Sequence, residues 1–327
     1  MRIDIYTRSS ELPTLAEGDF YHSAQMFRLI EKSSGSKPFM LVATEEGEEL
    51  AHLIIIKRRG ARLLPPVVGF WYTLYGTGTY TPRCSDREEI FSRFIDKVSD
   101  MFDIRHSYIE VIGINDPRFA YKTLSDSEFV PIRDHRIYIS LHSRAPEERL
   151  TRKYRTHLRK AIERGATYAT AQTVEEIDEA LHLLRNYYRS KIRRPLPPAD
   201  ILRGILIDEE GNATHNARLF TVKLRGKIIG CSICIYSGDR AFLAYSCGLR
   251  KSYPLHYPGL LGVWAAIENA HKEGRSHIEF LESRTLVGIR SGYKNFLLNF
   301  GGKQVSTLRW YRFKWNLFNK ILRAIYV

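Results

Sequence analysis

The sequence has no long apolar run and little cysteine. No stretch reaches the roughly 18 consecutive apolar residues that a membrane-spanning helix requires, so we predict no transmembrane segment. The N-terminus, MRIDIYTRSSELP, lacks the apolar core of a signal peptide, which predicts a cytoplasmic protein. Four cysteines in 327 residues provide no disulfide framework.

Two of these cysteines, Cys231 and Cys234, form a C-x-x-C motif within the apolar run KIIGCSICIYSG. The motif invites a zinc or redox interpretation. The surrounding run is typical of a strand, however, and residues three apart on a strand point to opposite faces. No second C-x-x-C and no histidine pair completes a tetrahedral site. We therefore predict buried core thiols and no metal.

Acidic residues are scarce in the second half of the chain. The whole sequence carries a net charge of +14, but residues 1–140 hold 18 Lys and Arg against 20 Asp and Glu, a balance of −2. Residues 141–327 hold 32 against 16, a balance of +16. This asymmetry predicts an anionic partner for the second half, whether nucleic acid, a phosphorylated ligand or an anionic lipid.

The chain also contains an internal repeat. A hairpin of two apolar strands, FMLVAT and AHLIIIK, has its counterpart in ARLFTVK and KIIGCSI. The segments SYIEVI and SHIEFL each follow an amphipathic helix. The repeat predicts an α/β (α+β) protein of two similar domains, residues 1–143 and residues 144–327, each a mixed, mostly antiparallel sheet flanked by helices.

The most informative stretch of the second half reads strand, break, helix, strand. The break carries Pro254 and Pro258, and we predict a helix over Gly259–Lys272 followed by a strand over His277–Leu281. A helix N-terminus that opens beside a strand end presents free backbone N–H groups and suits an anion such as a phosphate. The alternative is a β-α-β crossover without a ligand.

A basic segment, PEERLTRKYRTHLRKAIERG, connects the two halves, and we predict one helix over Pro146–Gly165. If this segment binds an anionic partner, the residues expected to hold its phosphates are Arg152, Arg155, Arg159 and Lys160. At the start of the predicted helix Gly259–Lys272, His256 and Gly259 are further candidate contacts for the phosphate-bearing partner. The alternatives are a solvated basic helix face and an ordinary loop histidine.

The order of elements, two β-β-β-α-β units joined by a basic helix, resembles the tandem GNAT-fold acyltransferases of the Fem type, the peptidyltransferases that extend peptidoglycan side chains. Three segments carry the resemblance. The run Arg155–Gly165 resembles an "R-x-x-R-K-A-x-x-x-G" helix, and Tyr257-Pro258 with Trp264 resembles the family's proline-then-helix start. The run Tyr293–Gly302 resembles its "F-K-x-x-F-G-G" segment, with one extra residue.

The resemblance implies two tandem GNAT-like domains, the second of which carries the active site. It implies transfer of an acyl or aminoacyl group to an amine of a cell-envelope precursor (peptidoglycan, polysaccharide or lipid-linked), with acyl-CoA or aminoacyl-tRNA as donor and no metal. The Q/R-x-x-G-x-G/A loop with which GNAT enzymes hold coenzyme A is absent. The long helical hairpin that some Fem proteins insert in the second domain is absent too.

Acyl transfer to an amine requires a positive group near the developing oxyanion and a route for the amine's proton. The resemblance implies that Lys294 stabilises the negative charge of the oxyanion. The alternative is that the Lys294 side chain only packs along its aromatic neighbours. Glu282, after a strand end, is the candidate base, and its alternative is an ion pair with Arg284. Tyr257 completes the catalytic set. Substrate contacts are predicted for Tyr245, Trp264, Ser283 and Tyr293, although a tyrosine on an apolar strand is commonly a core residue.

The C-terminal segment WYRFKWNLFNKILRAIYV predicts a helix whose apolar side chains share one face flanked by cations. It either docks on an anionic membrane, the inner face for a cytoplasmic bacterial protein, or packs on its own domain. For the whole chain, the alternative to an acyltransferase is a catalytically inactive GNAT-fold module that binds nucleic acid or a membrane through its basic half.

Overall fold

We describe the fold from a computed structural model, which covers residues 1–59, 69–103, 106–113, 118–142, 144–189, 196–208, 210–281 and 291–326. The described chain contains thirteen strands and ten helices. The strands are β1 Arg2–Tyr6, β2 Ser36–Glu45, β3 Glu48–Arg59, β4 Phe70–Tyr75, β5 Thr79–Tyr80, β6 His106–Ile112, β7 Val130–Ser140, β8 Ala166–Thr170, β9 Ala217–Leu224, β10 Lys227–Ser237, β11 Arg240–Gly248, β12 His277–Phe280 and β13 Lys303–Phe313. The helices are α1 Ala24–Lys32, α2 Arg87–Asp100, α3 Tyr121–Asp126, α4 Pro146–Arg149, α5 Arg152–Glu163, α6 Val174–Arg189, α7 Ala199–Leu206, α8 Pro258–Lys272, α9 Ser291–Leu298 and α10 Asn316–Tyr326.

The chain divides into two compact units. Unit 1 comprises Met1–Asp134 together with Thr307–Val327, and unit 2 comprises His135–Ser306. The chain leaves unit 1 within β7 and returns to it within β13. The division at 143/144 drawn from the sequence assigned the last residues to the second domain, and as a statement about domains it remains a prediction.

Unit 1 is a sheet in the order β1-β2-β3-β4-β6-β13, with β5 paired to β3. Its pairs are antiparallel except β4 with β6, which run parallel on either side of the crossover helix α2. The apolar face of α2 (Ile90, Phe91, Phe94, Ile95 and Val98) is buried against strand residues that include Leu53, Leu74 and Val111. A second cluster, around Phe27 and Ile30 of α1, packs on other residues of β2 and β3.

Unit 2 is a sheet in the order β7-β12-β11-β10-β9-β8, antiparallel except for the parallel pair β11 and β12. Consecutive residues of β10 point to opposite faces. The Ser232 hydroxyl donates to the Gly262 carbonyl of α8 at 2.7 Å, whereas the Cys231 thiol donates to the Ala180 carbonyl of α6 at 3.5 Å. The sheet therefore lies between α8 and α6.

The two hairpins that define the repeat are confirmed. β2 and β3 join through Glu46 and Gly47, with φ of 52° and 86°, and β9 and β10 join through Arg225 and Gly226, with φ of 50° and 79°. Two consecutive residues with positive φ form the tight turn that matches the twist of the paired strands. The α/β architecture of mostly antiparallel sheets with flanking helices is also confirmed.

The prediction of one continuous helix over Pro146–Gly165 is wrong. Leu150 is extended (ψ 138°), and Thr151 begins a new helix by accepting a hydrogen bond from the Tyr154 amide. Leu150 is buried, so the chain turns here to place its side chain in the core of unit 2. The sequence also predicts an apolar strand region over Arg62–Tyr75, interrupted by Pro65-Pro66; Phe70–Tyr75 form β4, and residues 62–68 lie outside the described residues.

The prediction of core thiols is confirmed for Cys231 and Cys234, which are both fully buried. Cys234 packs in the cluster that contains Trp264, on the face opposite to Cys231. Within the described residues there is no group of His, Cys, Asp and Glu side chains arranged to hold a metal ion. Among the described helices, none is long and apolar enough to cross a membrane.

Candidate functional site

The central strand of unit 2, β11, is irregular at the point where its parallel neighbour ends. Ile233 of β10 pairs with Tyr245, but Cys234 pairs with Leu243, so Ala244 is an extra residue in β11. The register with β12 ends at the pair Leu243 and Phe280. β11 therefore extends to Gly248 beyond the last residue of β12. A bulge of this kind re-aims backbone groups and is common beside active sites.

The helix α8 begins close to the end of this strand. A Cβ on Gly248 would lie 2.3 Å from the Gly259 nitrogen, and a Cβ on Gly230 would lie 3.2 Å from the Pro258 Cβ. Gly248 leaves no room for a side chain, and Gly230 leaves very little, so the two glycines allow the first turn of α8 to approach the sheet closely. The first turn carries no acidic residue, and the helix has no side-chain cap. Its N-terminus therefore presents a positive dipole end without an internal anion.

Tyr257, the N-cap of α8, is held in a left-handed conformation with φ of 45°. A bulky side chain in this region costs of the order of 1–3 kcal/mol and is retained where the surroundings enforce it. Here the tyrosine ring stacks on the ring of His157 of α5, with centroids 4.1 Å apart and planes 8° from parallel. The stack joins α5 to the start of α8.

A group of cations surrounds this stack. Lys153, His157 and Lys160 are spaced four and three residues apart and so share one face of α5, and Arg250 follows the end of β11. Burial lowers the pKa of His157, and the charges of Lys153, Lys160 and Arg250 lower it further. In the described part of the chain, none of these three cations has an ion pair. We call Lys153, His157, Lys160 and Arg250 the cation cluster.

A second row of cations lies on a different face of α5. Arg152, Arg155 and Arg159, together with Thr156, line an open depression of about 420 Å³. The Arg155 Nε donates to the Leu150 carbonyl at 3.2 Å, and Arg159 is 3.5 Å from the Glu163 carboxylate. The predicted phosphate-binding arginines thus belong to this outer row, while Lys160 belongs to the cation cluster.

The segment that contains Lys294 forms α9, which packs on α5. Tyr293 stacks on Phe296, and Phe296 and Phe300 contact the ring of Tyr154. Lys294 itself is partly buried and has no ion pair among the described residues. The helix ends at Leu298, and the turn that follows contains Gly301, whose φ is 86° and whose Cβ position would lie 2.5 Å from the Arg149 side chain. This glycine allows the end of α9 to dock on α4.

Two more of the predicted contacts lie close to the start of α8. His256 is half-buried, its ring meets Tyr253 edge-on, and its Nδ1 is buried without a hydrogen-bond partner within the described chain. Gly259 has open space where a side chain would be. An unpartnered buried nitrogen beside a helix N-terminus is a polar group that a ligand could satisfy.

The remaining predicted residues lie elsewhere. Trp264 is only 2% exposed, and its indole N–H donates to the Tyr168 hydroxyl at 3.1 Å, so it is a core residue with its polar group satisfied. Tyr245 lies on β11 directly after the bulge, edge-on to Tyr188 of α6. Glu282 and Ser283 lie outside the described residues.

Lys153, His157 and Arg250 were not assigned a role from the sequence. A helical projection contains the signal for α5, because Lys153, His157, Lys160 and Arg164 recur at intervals of four, three and four. Arg164 also reaches the loop before α8, where its Nη1 donates to the Leu255 carbonyl at 2.9 Å. The position of Arg250 beside α5 depends on tertiary structure alone.

A comparison with protein families gives a match that lies within unit 2. Residues 149–295 match the family model described as an acetyltransferase (GNAT) domain. This segment is therefore similar to GNAT acetyltransferase domains. The match contains β11, α8, the cation cluster and most of α9.

Solved structures resemble the whole chain. The crystal structure of FemX is 11% identical, covers 99% of this chain and 100% of its own, and has a TM-score of 0.67. The C-terminal domain of a putative lysylphosphatidylglycerol synthetase from Agrobacterium fabrum is 11% identical, with coverages of 94% and 91% and a TM-score of 0.58. L-PGS from Bacillus licheniformis is 10% identical, with coverages of 96% and 99% and a TM-score of 0.57.

At these identities the likeness establishes a shared fold. It confirms the resemblance to Fem-type GNAT proteins that the order of elements predicted. The comparison with curated proteins gave no significant match.

Proposed function

We propose that this protein transfers an acyl or aminoacyl group from a phosphate-bearing carrier to an amine of a cell-envelope component, and that unit 2 carries the active site. One observation carries the proposal. The unpaired cation cluster and the uncapped N-terminus of α8 meet at the end of β11, which bulges and extends beyond β12, inside the segment that matches the GNAT acetyltransferase model. A phosphate at the cluster would find side-chain cations and helix amides together.

The same geometry suits the chemistry of acyl transfer. The nitrogen of the acceptor amine forms a bond to the carbonyl carbon of the donor, and the bond from that carbon to the carrier's sulfur or oxygen breaks. The amine loses a proton, and the carrier leaves as a thiol or a hydroxyl. We assign Lys294 to the negative charge that develops on the carbonyl oxygen, the step at which fixed positive charge has its largest effect. Glu282 remains the proposed base and Tyr257 a proposed donor of a hydrogen bond.

The substrate contacts are proposed more narrowly than the sequence suggested. Tyr245 and Tyr293 remain candidates, because both are partly exposed and lie on β11 after the bulge and on α9. Ser283 is retained as a proposal from the sequence. Trp264 is left out, since its ring is enclosed in the core.

The donor favoured by the site is an aminoacyl-tRNA. Pro254 lies in the loop that precedes α8 and Pro258 is the first residue of α8, so this stretch lacks two backbone N–H groups and offers fewer main-chain donors to a pyrophosphate. The side-chain cations of the cluster can contact a phosphate in place of these N–H groups. The outer row of arginines extends the positive surface along α5. A helix of 12 residues is about 18 Å long, which suits a run of backbone phosphates better than a single pyrophosphate. Acyl-CoA is the other candidate.

The acceptor is inferred from the structural relatives. The name lysylphosphatidylglycerol synthetase denotes a lipid that carries an amino acid, and the Fem type that the chain resembles acts on peptidoglycan side chains. Both are components of the cell envelope. We propose that the present chain also acts on an envelope precursor, from the cytoplasmic side, where tRNA and coenzyme A are available.

The decisive experiment is thermal stabilisation of the purified protein by acyl-CoA and by charged and uncharged tRNA, at two salt concentrations. A ligand that binds only the folded state raises the melting temperature. We expect a shift with charged tRNA that exceeds the shift with uncharged tRNA. The shift should be absent in the double variant Lys153→Ala/Arg250→Ala and present in Arg93→Ala, which removes a cation from α2 of unit 1.

Other outcomes would change the proposal. Stabilisation by acyl-CoA that persists at high salt would identify coenzyme A as the carrier. A shift with any polyanion that disappears at high salt would indicate a generic anion surface. The chain would then be the catalytically inactive binding module that the basic second half also allows.

A further inference from the structure

The C-terminal helix α10 exposes an unusual amount of apolar surface. Ten large apolar side chains in the described chain are at least 36% exposed, and five of them lie between Trp315 and Ile325. They are Trp315 (40%), Leu317 (68%), Phe318 (51%), Ile321 (46%) and Ile325 (65%). At 100° per residue, Leu317, Phe318, Ile321 and Ile325 fall within an arc of about 100°, so they form one continuous apolar face on α10.

This helix is attached to unit 1 by its other side. Asn319 is 4% exposed and makes two hydrogen bonds with the backbone of Phe313, one to its carbonyl (2.9 Å) and one from its amide (2.8 Å). The ammonium of Lys314 donates to the Phe102 carbonyl at 3.1 Å and lies 5.3 Å from the Phe102 ring. These contacts fix the start of α10 and leave the apolar face directed away from its attachment.

The charge around the face has a single sign. Residues 314–327 contain Lys314, Lys320 and Arg323 and no acidic residue. Lys320 and Arg323 are exposed. On the helix Lys320 lies about 60° from Leu317, at the edge of the apolar face, whereas Arg323 lies about 120° from Leu317, on the side of Asn319. An apolar stripe bordered by cations matches an anionic bilayer, in which acyl chains lie beneath negative headgroups.

We propose that α10 docks unit 1 on an anionic phospholipid surface, with its apolar face in the interfacial region and Lys320, at the edge of that face, at the headgroups. Charge complementarity selects this occupant over an apolar groove of another protein, because a neutral groove would leave Lys320 without a partner and the segment carries no acidic residue. The surface lies in unit 1, outside the candidate site of unit 2. The inference is therefore independent of the proposed acyl transfer.

The test is flotation of the full chain with vesicles of phosphatidylcholine alone and of phosphatidylcholine with 30% phosphatidylglycerol. Because a net charge of +14 attracts any anionic surface, the informative variant keeps the charge. We expect Leu317→Ser/Ile321→Ser to weaken binding to the anionic vesicles at least tenfold, since each side chain loses its buried apolar area. Ile5→Ser, which alters an exposed isoleucine of β1, is the matched control and should bind like the wild type.

A second readout places the helix in the bilayer. Trp315 is exposed, whereas Trp264 and Trp310 are buried. Quenching of tryptophan fluorescence by brominated phospholipid should be strong in the wild type and largely absent in Trp315→Phe. Replacing Lys320 with glutamine should reduce binding about fivefold, in line with roughly 1 kcal/mol for a basic residue near an anionic surface, whereas Arg323→Gln, on the other side of the helix, should have a smaller effect.

Three results would overturn the proposal. The first is equal vesicle binding by the wild type and Leu317→Ser/Ile321→Ser, which would show attraction by net charge alone. The second is no binding to the phosphatidylglycerol vesicles. The third is a concentration-dependent dimer in sedimentation that the same double variant dissociates, which would make a second copy of the chain the occupant. Unchanged circular dichroism and melting temperature would show that the variants are folded.

Discussion

The crossover helices of the two units begin in opposite electrostatic surroundings. In unit 1, Asp86 caps α2 by accepting from the Glu89 amide at 2.8 Å, and Glu88 and Glu89 occupy the first turn. In unit 2, α8 has no side-chain cap and no acid in its first turn. The N-terminus of α2 is thus satisfied by carboxylates of its own chain, while that of α8 remains available to an external anion.

Arg309 of unit 1 and the exposed cations of the cluster in unit 2 also differ in their partners. Arg309 of unit 1 lies 3.3 Å from the Glu110 carboxylate, which also accepts from the Tyr311 hydroxyl at 2.7 Å. The lysines of the cation cluster in unit 2 have no such partner in the described chain. The two units therefore share a strand-helix-strand arrangement but differ around the start of its helix. In unit 1 acidic side chains neutralise the helix N-terminus, whereas in unit 2 the N-terminus is left suited to an external anion.

The largest effect should follow Lys294→Ala. If Lys294 stabilises the oxyanion, turnover should fall by roughly 10² to 10³-fold, as for the loss of other oxyanion donors. Donor affinity should change little, because the lysine acts mainly in the transition state. Single-turnover kinetics with the donor identified by thermal shift would measure both. Lys122→Ala, an exposed lysine of α3 in unit 1, is the control, and equal turnover in the two variants would remove Lys294 from the mechanism.

The second prediction concerns the stability of unit 1. Burial lowers the pKa of His22 from 6.5 to about 4. The folded state thus binds fewer protons than the unfolded state between these pH values, so stability should fall as the pH decreases from 6.5 to 4. The free energy of unfolding should fall by about 3 kcal/mol over this pH range.

Urea unfolding from pH 7 to pH 4 in wild type, His22→Gln and His182→Gln would measure this dependence. His182 is exposed on α6 and serves as the control. His22→Gln should unfold with a weaker pH dependence than the other two proteins. If the slopes of all three coincide, the buried histidine does not titrate as described.

The third prediction tests the cation cluster directly. Lys153→Ala and Arg250→Ala should each weaken donor binding by roughly ten- to a hundredfold, the range for hydrogen bonds to charged groups. Arg93→Ala in α2 should leave the affinity unchanged, because Arg93 is paired with Glu89 at 2.6 Å in unit 1. Titration calorimetry would measure these affinities. A comparable loss of affinity in Arg93→Ala would place the anion site in unit 1 and contradict its assignment to the start of α8.

A fourth variant makes α8 resemble α2. Gly259→Glu introduces an acid into the first turn of α8, at a position with open space for a side chain. Helix stability should rise by about 0.3–1 kcal/mol through the helix dipole. Donor affinity should fall about tenfold, because the carboxylate would compete with the phosphate. Gly259→Gln has the same size without the charge, and an equal loss of affinity in that variant would assign the effect to sterics.

The smallest effect is expected at His157. Its pKa is lowered by burial and by neighbouring cations, and a bound phosphate would offset those charges. Donor binding should therefore raise the pKa of His157, and by linkage the donor should bind more tightly as the pH falls through that pKa. Titration of the histidine resonances by NMR, with and without the donor, would measure the shift. No change on binding would separate His157 from the phosphate site.

Much of the fold could be predicted from local sequence patterns. Both hairpins follow from apolar strands around Glu46-Gly47 and Arg225-Gly226, where glycine accepts a positive φ without steric cost. The helices α2 and α8 follow from their apolar periodicity. The break between α4 and α5 could not be predicted in this way, because a helical pattern continues across Leu150 and only the core position of that side chain interrupts it.

The candidate site was predicted less completely than the fold. The positive half, the proline before α8 and the lysine of α9 were all visible in the sequence. Arg250 was not, since about ninety residues separate it from α5 and only packing brings the two together. Trp264 had the aromatic character of a substrate contact, but its position on the sheet-facing side of α8 encloses it.

The sequence by itself determined the two repeated sheets, the sign and place of the charge and the start of α8, because these depend on contacts between residues close along the chain. Only the tertiary structure decided which cations meet at the start of α8, which aromatic ring is core, and that α10 turns its apolar face outward. Those outcomes depend on which distant segments compete for the same buried volume, and no local pattern records that competition.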